Sequence, residues 1–363
     1  RECHENCSVE TYVLEHEDFD RIVVNVRGCQ AVIVPKFKPE SGQAAYTFAV
    51  DFGTTNTYIE YSVDGNPSKP FDITENECQM QRLHVDYRTD RDVRDSFDNN
   101  FVPQIIAEGR EYEFPIRTAF AEHKDIDYNK SVYALASGNI PFKYEKDVIP
   151  PYNVVRTDLK WSSTQRDRIR LFIENLIFMM RNKVLLNGGR LSNTKIVWFY
   201  PASMTEAQKN QLQSIWNSLY EKYFGNNAAV NVTPMSESIA PYYYYRNKQG
   251  AKSNAITIDV GGETTDIYAV ENNIPMMLTS FRFASNAVFG DGYNWDADNN
   301  GFVKLYKDEI QSILRTNNLV DLDNAFAGIL DKKKSSDIIA FFFSLAGNKQ
   351  VTNLNVNSLN FLQ

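Results

Sequence analysis

The chain has 363 residues, of which 43% are hydrophobic and 23% are charged, and its net charge at pH 7 is −8. These proportions are typical of a globular protein, and the length predicts about two domains or one large two-lobed unit. The acidic balance argues against a dedicated nucleic-acid or membrane-surface binder, because such proteins present a basic surface. No apolar run approaches the roughly 18 residues of a membrane span. The 4 cysteines are too few for a disulfide scaffold.

Residues 1–45 are expected to form an N-terminal appendage of unclear fold. Within them, Arg21–Val26 and Gln30–Val34 are predicted to pair as a hairpin around Gly28. A zinc site is one interpretation of the nearby thiols, and its candidate ligands are Cys3, His4, Cys7 and Cys29. The spacing lacks a matching second Cys pair, so scattered free thiols are the alternative. Both chain ends are expected to be cuts in a longer protein, since the chain does not start with Met.

A sharper pattern begins at residue 46. An apolar strand is predicted over Tyr46–Phe52, with Asp51 near its end, and an alternating strand over Thr57–Val63. Between them lies a short turn with the sequence Gly53-Thr54-Thr55-Asn56. This segment is therefore predicted to be a β-hairpin.

The middle of the chain alternates predicted helices and strands. Residues 75–160 are mixed and polar, with a strand at Gln104–Ala107, and are expected to be an inserted subdomain. The elements predicted after this insertion are a helix over Thr164–Leu186, a strand over Lys195–Tyr200, a helix capped by Thr205 and ending at Tyr223, a strand over Ala228–Thr233 and a short helix from Ser238 to Arg246. This alternation indicates an α/β protein.

The plan of the first hairpin recurs later in the chain. Ala255–Val260 is predicted to be an apolar strand containing Asp259, and Asp266–Val270 is predicted to be the return strand. The turn between them reads Gly261-Gly262-Glu263-Thr264-Thr265. From residue 303 onward the periodicity is helical.

The repeated strand-Asp-Gly-Thr-strand plan suits a polyphosphate ligand. Glycines let backbone N–H groups approach phosphate oxygens, and threonine hydroxyls add donors. An Asp at each strand end can hold Mg²⁺ through water, because Mg²⁺ keeps several of its waters. One such turn also occurs in ordinary hairpins, which are the alternative interpretation. Two copies, each at the end of an apolar strand, favour a clamp on a phosphate chain.

These two turns resemble the phosphate motifs of the actin, Hsp70 and sugar-kinase ATPase superfamily, and most closely those of the nucleotide-binding domain of Hsp70 (DnaK-like) proteins. Further segments that are similar to Hsp70, in the same order, are Ile196–Gln208, Met235–Ala240 and Phe289–Gly292. The resemblance spans about residues 46 to 300. It implies a two-lobed, ribonuclease H-like α/β fold with ATP and Mg²⁺ in the cleft.

The resemblance also implies residue roles. Asp51 and Asp259 would organise the water shell of Mg²⁺, and Glu237 would orient or deprotonate the attacking water. In the family, a lysine before the long helix of lobe I reaches the γ-phosphate. Lys160 is the candidate for this role because it lies just before the helix predicted from Thr164. The alternative is an exposed, solvated lysine. The residues that would cradle the nucleotide are Gly53, Thr54, Thr55, Gly261, Gly262, Thr264 and Gly290.

Several positions depart from the family pattern. Glu263 stands where the family usually has a third Gly, and it places a negative charge near the phosphates. Three interpretations are open: the side chain points away from the site, it binds a metal ion, or the site is altered. Ser238 replaces a Pro, and Pro241 fits a helix only in its first turn. The late Gly-Gly-Ser/Thr adenosine motif is not found, which predicts an incomplete second lobe and weak ATP binding by this chain alone.

The resulting domain prediction is an appendage at 1–45, lobe I at 46–253 with the insertion at 75–160, and an incomplete lobe II at 254–363. The predicted function is an Hsp70-like ATP-binding and ATP-hydrolysing domain, whose closure is coupled to protein partners or co-chaperones. The alternatives are an actin-like filament protein and a non-hydrolysing scaffold. We expect ATP/ADP as ligands, no nucleic acid, no membrane span and a cytoplasmic location.

Overall fold

The computed structural model describes residues 2–3, 10–11, 19–26, 28–35, 40–74, 77, 105–107, 110–111, 114–130, 132, 134, 138–140, 153–157, 159–162, 164–250, 254–289, 300–331, 333 and 335–352. Its strands are β1 (Glu2–Cys3), β2 (Glu10–Thr11), β3 (Ile22–Val26), β4 (Cys29–Ile33), β5 (Tyr46–Phe52), β6 (Asn56–Val63), β7 (Lys69–Pro70), β8 (Ile105–Ala107), β9 (Arg110–Glu111), β10 (Ile116–Arg117), β11 (Phe120–His123), β12 (Gly138–Asn139), β13 (Asn153–Arg156), β14 (Lys195–Tyr200), β15 (Val232–Ser236), β16 (Ala255–Val260), β17 (Thr265–Glu271) and β18 (Ile274–Phe281).

The helices are α1 (Arg166–Leu186), α2 (Glu206–Tyr223), α3 (Ala228–Asn231), α4 (Ala240–Gln249), α5 (Ser285–Phe289), α6 (Gly301–Thr316), α7 (Val320–Asp331), α8 (Ser335–Ser344) and α9 (Lys349–Thr352), with short 3₁₀ turns at Leu191–Asn193 and Leu345–Gly347. In the part of the chain that the structure describes, no helix is long and apolar enough to cross a membrane.

The main sheet is built around the first predicted hairpin. Its strand order is β10–β6–β5–β14–β15, with β7 paired to β6. β5 and β6 are antiparallel, whereas β14 runs parallel to both β5 and β15. The apolar residues that alternate along β5 are fully or almost fully buried: Tyr46, Phe48, Val50 and Phe52. This alternation places the intervening side chains, including Asp51, on the other face.

Helices α1 and α2 form one core with this sheet. The stripe of α1 that the sequence predicts is buried, and Phe172 lies 5.6 Å from Phe52 between ring centroids. α2 begins with a capping box, in which Thr205 accepts from the backbone N–H of Gln208 and the Gln208 side chain accepts from the N–H of Thr205. Trp216 of α2 stacks with Trp198 of β14 at 6.5 Å. The site residues on β5 and after β15 are thus held by a rigid core.

The second predicted hairpin forms another sheet with the order β16–β17–β18, antiparallel throughout. One face packs against α4, where Tyr242 contacts Tyr268 at a centroid distance of 5.4 Å. The alternate residues of β16 point to the opposite face. There Ile256 and Ile258 are 70% and 63% exposed. The helices α6 to α8 form a separate apolar cluster around Phe326 and Phe342.

Most of the strongly patterned elements agree with the sequence predictions. The hairpin β3–β4, the two Asp-Gly-Thr hairpins, α1, β14 and the Thr205-capped α2 are confirmed. Pro241 lies in the first turn of α4, as its chemistry requires. The mixed α/β architecture confirms the α/β part of the expected fold class. The two-lobed arrangement, the domain boundaries and an incomplete second lobe stay predictions.

The strand predicted over Ala228–Thr233 is wrong. The structure has the helical turn α3 there, and β15 starts only at Val232, opposite Ile196 of β14. Asn231 is buried and donates from Nδ2 to the Tyr220 hydroxyl at 2.9 Å, which ties this segment to α2 instead of the sheet. β15 tolerates Pro234 because it lies at the end of the strand order.

Several elements were not predicted from the sequence, among them β18 and α5. Most of the expected insertion at 75–160 lies outside the described residues, as do His4, Cys7 and Gly290. For Cys3 only the backbone is described, and Cys29 is exposed. The zinc interpretation of these thiols therefore stays a prediction.

Candidate functional site

Both Asp-Gly-Thr turns border one cavity of about 310 Å³. The sequence-predicted residues that line it are Asp51, Gly53, Thr54, Thr55, Lys160, Glu237, Asp259, Gly261, Gly262 and Thr264. The other polar residues of the lining are Asn56, Asp266, Ser285 and Asn286. The fold therefore brings together all the predicted site residues that the structure describes, from two different sheets and from the segment after β13. Their chemical roles stay predictions.

The first turn is held from outside the hairpin. A Cβ on Gly53 would overlap the backbone oxygen of Asn56, so this turn requires glycine. The Thr118 hydroxyl donates to the Gly53 carbonyl oxygen at 2.7 Å. Trp161 Nε1 donates to Thr54 Oγ1 at 2.9 Å. These two contacts hold the turn from residues outside the hairpin.

The second turn is held by the start of α5. The backbone N–H of Ser285 donates to the Gly261 carbonyl at 3.1 Å, and that of Asn286 donates to the Gly262 carbonyl at 2.6 Å. The Asn286 side chain also accepts from the Thr55 hydroxyl at 3.1 Å. The two turns are thus connected to each other through Asn286.

The cavity concentrates negative charge. Asp51 is open to the cavity, yet surrounding protein desolvates it and raises its pKa, with a further rise from Asp259 and Asp266 and an opposing effect of Lys160. Desolvation and the Asp266 charge raise the pKa of Asp259 as well. Asp266 itself accepts from the Ser238 hydroxyl at 2.8 Å. Crowded carboxylates of this kind favour a bound cation.

A divalent cation held through water fits this arrangement. Within the described residues, no group of three or more His, Cys, Asp or Glu side chains is placed to bind a metal directly. The Asp259 charge contributes to the raised pKa of Asp51, and the Asp266 charge contributes to the raised pKa of both, so negative charge is crowded at the cavity. Mg²⁺ would relieve that repulsion while keeping most of its waters.

Lys160 and Glu237 form a buried ion pair at the cavity wall. The Lys160 side chain is 1% exposed and its Nζ contacts Glu237 Oε1. The alternative of a solvated surface lysine is therefore wrong. Burial raises the pKa of Glu237 to about 7, although Lys160 opposes the rise. A carboxyl group with that pKa can accept a proton near neutral pH.

Glu263 points to a basic partner. Its carboxylate pairs with Arg282, the residue after β18, whose guanidinium carbon lies 4.9 Å from the centre of the Trp161 ring. Glu263 is not part of the cavity lining, so its charge does not face the cavity directly. Of the three alternatives from the sequence, the structure supports a side chain that points away.

No local sequence pattern marks Trp161, Arg282 or Asn286 as site residues. Each acts across a long stretch of chain, as when Trp161 reaches Thr54, and no local pattern marks such a contact. Asp266 was visible in the second motif, but only its position opposite Asp259 in the β16–β17 pairing shows that it shares the cavity.

No known protein family and no curated protein matches the chain. Among solved structures, it is similar to MreB5 of Spiroplasma citri bound to ADP, with a TM-score of 0.42, 11% identity, and coverage of 73% of this chain and 58% of that one. It is also similar to a non-polymerising mutant of MamK bound to AMPPNP, with a TM-score of 0.35, 13% identity, and coverage of 74% and 61%.

A third similar structure is the ethanolamine utilization protein EutJ from Carboxydothermus hydrogenoformans, with a TM-score of 0.32, 9% identity, and coverage of 77% and 70%. At these identities and TM-scores the likeness concerns the fold alone. The chain spans less than two thirds of the length of the MreB5 and MamK chains. The function is therefore inferred from the site residues of this chain.

Proposed function

We propose that this chain binds Mg-ATP in the cavity between the two Asp-Gly-Thr turns and that the complete protein hydrolyses it. One observation carries the proposal: Gly262 of the second turn packs against Thr55 of the first, beside a cavity lined by Asp51 and Asp259. Two phosphate-type turns from separate sheets would thus approach a phosphate chain from both sides.

The polar groups of the cavity match the needs of phosphoryl transfer. Backbone N–H groups of the turns and the Thr264 hydroxyl would donate to phosphate oxygens. When bound, Mg²⁺ would neutralise charge on the β- and γ-phosphates. Asp51 and Asp259 would hold its waters, and Lys160 would offset the remaining negative charge.

Glu237 is the candidate general base. It is mostly buried, lines the cavity and has a raised pKa of about 7, which suits proton abstraction from water near neutral pH. Lys160 fixes its orientation through the ion pair. Positioning and electrostatics would then supply most of the rate enhancement.

Calorimetry with Mg-ATP tests the binding part of this proposal. We expect Mg-dependent binding weaker than micromolar, because the sequence lacks a recognisable adenosine motif. The double variant Asp51→Asn/Asp259→Asn should lose the Mg²⁺ dependence, and Asp323→Asn on α7 serves as a control outside the cavity lining. Equal binding by parent and double variant would reject the proposed site.

Filament assembly is a second candidate function, and one structural observation favours it. The face of the β16–β18 sheet opposite α4 is apolar and open, with Ile256, Ile258 and Val260 at 70%, 63% and 57% exposed. Such a face is typical of an association surface. Within the residues that the structure describes, no comparable feature supports the Hsp70-like coupling to co-chaperones. Sedimentation with and without ATP would separate a nucleotide-dependent polymer from a monomer.

A further inference from the structure

The acidic residue in the second turn has an unusual environment for a phosphate site. Glu263 sits between Gly262 and Thr264, both of which line the cavity. One carboxylate oxygen pairs with Arg282, while the other, Oε2, is buried without a hydrogen-bond partner. An unneutralised carboxylate at this position would repel an anionic ligand. The charge state of the second turn therefore depends on Arg282.

Arg282 is held in place by its neighbours in the chain. Phe281 ends β18 opposite Thr265 of β17, and the Thr265 hydroxyl donates to the Phe283 carbonyl at 2.7 Å. The backbone on both sides of Arg282 is thus held beside the second turn. The guanidinium group pairs with Glu263, and its central carbon lies over the Trp161 ring. A planar guanidinium offers several N–H donors at its edge and a flat surface for a ring, a combination that the compact lysine ammonium lacks.

Trp161 continues the connection to the first turn. The residue is 7% exposed and donates from Nε1 to Thr54 Oγ1 at 2.9 Å. It also directly follows Lys160, which pairs with Glu237. Four side chains therefore form a continuous path of contacts from one turn to the other: Glu263, Arg282, Trp161 and Thr54. We name this path the Arg282 bridge.

We propose that Arg282 is a positioning residue of the nucleotide site, which neutralises Glu263 and couples the second turn to the first through Trp161. This inference rests on the proposed ATP site. It explains how an acidic residue is tolerated where the family pattern has glycine. It also gives the two turns a second connection besides Asn286. Phosphate binding at one turn would then shift the position of the other turn.

A double-mutant cycle separates the two roles of Arg282. Arg282→Gln leaves Glu263 unneutralised, and we expect Mg-ATP and inorganic tripolyphosphate to bind about tenfold more weakly. Glu263→Gln/Arg282→Gln removes the repulsion and should return binding to within about threefold of the parent, since the repulsion and not a lost phosphate contact causes the defect. Arg282→Lys keeps the charge but loses the stacking on Trp161.

Trp161 provides a readout that needs no nucleotide. Its emission, taken as the difference between each protein and its Trp161→Phe counterpart, should change in both Arg282→Gln and Arg282→Lys. The difference removes the emission of the other three tryptophans, of which Trp198 and Trp216 are fully buried in the main core. Arg315→Gln, which breaks the Arg315–Asp323 pair of α6 and α7, is the matched control and should alter neither binding nor emission. Melting curves would check that each variant folds.

The outcomes distinguish this inference from the proposed function. If the parent binds Mg-ATP and Arg282→Gln binds it equally well, the bridge is rejected and the ATP site stands. If the double variant binds as weakly as Arg282→Gln, neutralisation of Glu263 is rejected. If the parent binds neither probe, the proposed function and the inference fall together. Unchanged Trp161 emission in Arg282→Gln would reject the stacking contact.

Discussion

Gly262 of the second turn packs directly against Thr55 of the first: a Cβ on Gly262 would overlap the Thr55 hydroxyl and lie 2.9 Å from Thr55 Cβ. The two residues belong to turns of different sheets. Glycine is needed here for close approach and not for an unusual backbone angle, since Gly262 has no positive φ. The two turns can approach this closely only because Gly262 has no side chain.

Gly262→Ala should push the two turns apart. We expect loss of Mg-ATP binding by about tenfold or more, because both turns must contact the same phosphate chain. The fold should persist, because the three atoms nearest to the added methyl group all belong to Thr55 in a surface turn beside the cavity. Calorimetry and a melting curve would measure the two effects separately.

Gly328→Ala is the matched control for that variant. Gly328 lies in α7 with open space around its Cα, so alanine should stabilise the helix by up to about 1 kcal/mol and leave binding unchanged. Equal binding by the Gly262→Ala protein and the parent would contradict the view that the two turns act on one ligand.

Glu237→Gln tests the proposed base. The substitution keeps the size of the side chain and removes its basicity, so turnover of the complete protein should fall by about 10²-fold or more. ATP binding should change little, because the group is proposed to act on water. Phosphate-release kinetics and calorimetry would measure the two. Hydrolysis at the parent rate would favour the non-hydrolysing scaffold or another base.

Asp51→Asn should give a different pattern from Glu237→Gln. Asp51 is proposed to hold the waters of Mg²⁺, so its loss should weaken Mg-dependent binding along with turnover. Binding measured at several Mg²⁺ concentrations would reveal the change. An Asp51→Asn protein with normal Mg²⁺ dependence would remove Asp51 from the metal site.

The pattern of sequence predictions that succeeded has a physical cause. The turn glycines and strand-end carboxylates carry local requirements, so Gly53, Asp51 and their counterparts could be recognised from the sequence. Lys160 was found only by its position before α1, and its burial against Glu237 could not be predicted. The contact of Arg282 with Trp161 depends on how β18 is placed, and β18 itself was not predicted.

The crowded carboxyl groups predict a pH dependence of stability. Burial raises the pKa of Asp51, Asp259 and Glu237, so the folded chain keeps protons that the unfolded chain has already lost. Stability from these groups is therefore present below the ordinary carboxyl pKa and is lost as pH rises towards about 7, the value for Glu237. The melting temperature without ligand should fall across this window.

Asp51→Asn is the variant that isolates this effect. It removes one charge that raises the pKa of Glu237, so its melting temperature should exceed that of the parent at pH 8 and approach it at pH 5. Groups elsewhere cancel in the comparison. A parent that melts at a higher temperature at pH 8 than Asp51→Asn would contradict the assignment of mutually repelling carboxylates.

The open face of the β16–β18 sheet leads to a test of assembly. Ile256→Ser/Ile258→Ser should lower the fraction of protein that sediments with ATP, because it removes exposed apolar surface from the proposed contact. Each exposed side chain should change the free energy of unfolding by only about 0.5 kcal/mol, so the variant should remain folded. Val230→Ser is the control, since Val230 is 74% exposed on α3, away from this sheet. Assembly of the double variant at the parent level would place the contact elsewhere, and a parent that stays monomeric with and without ATP would reject the filament candidate.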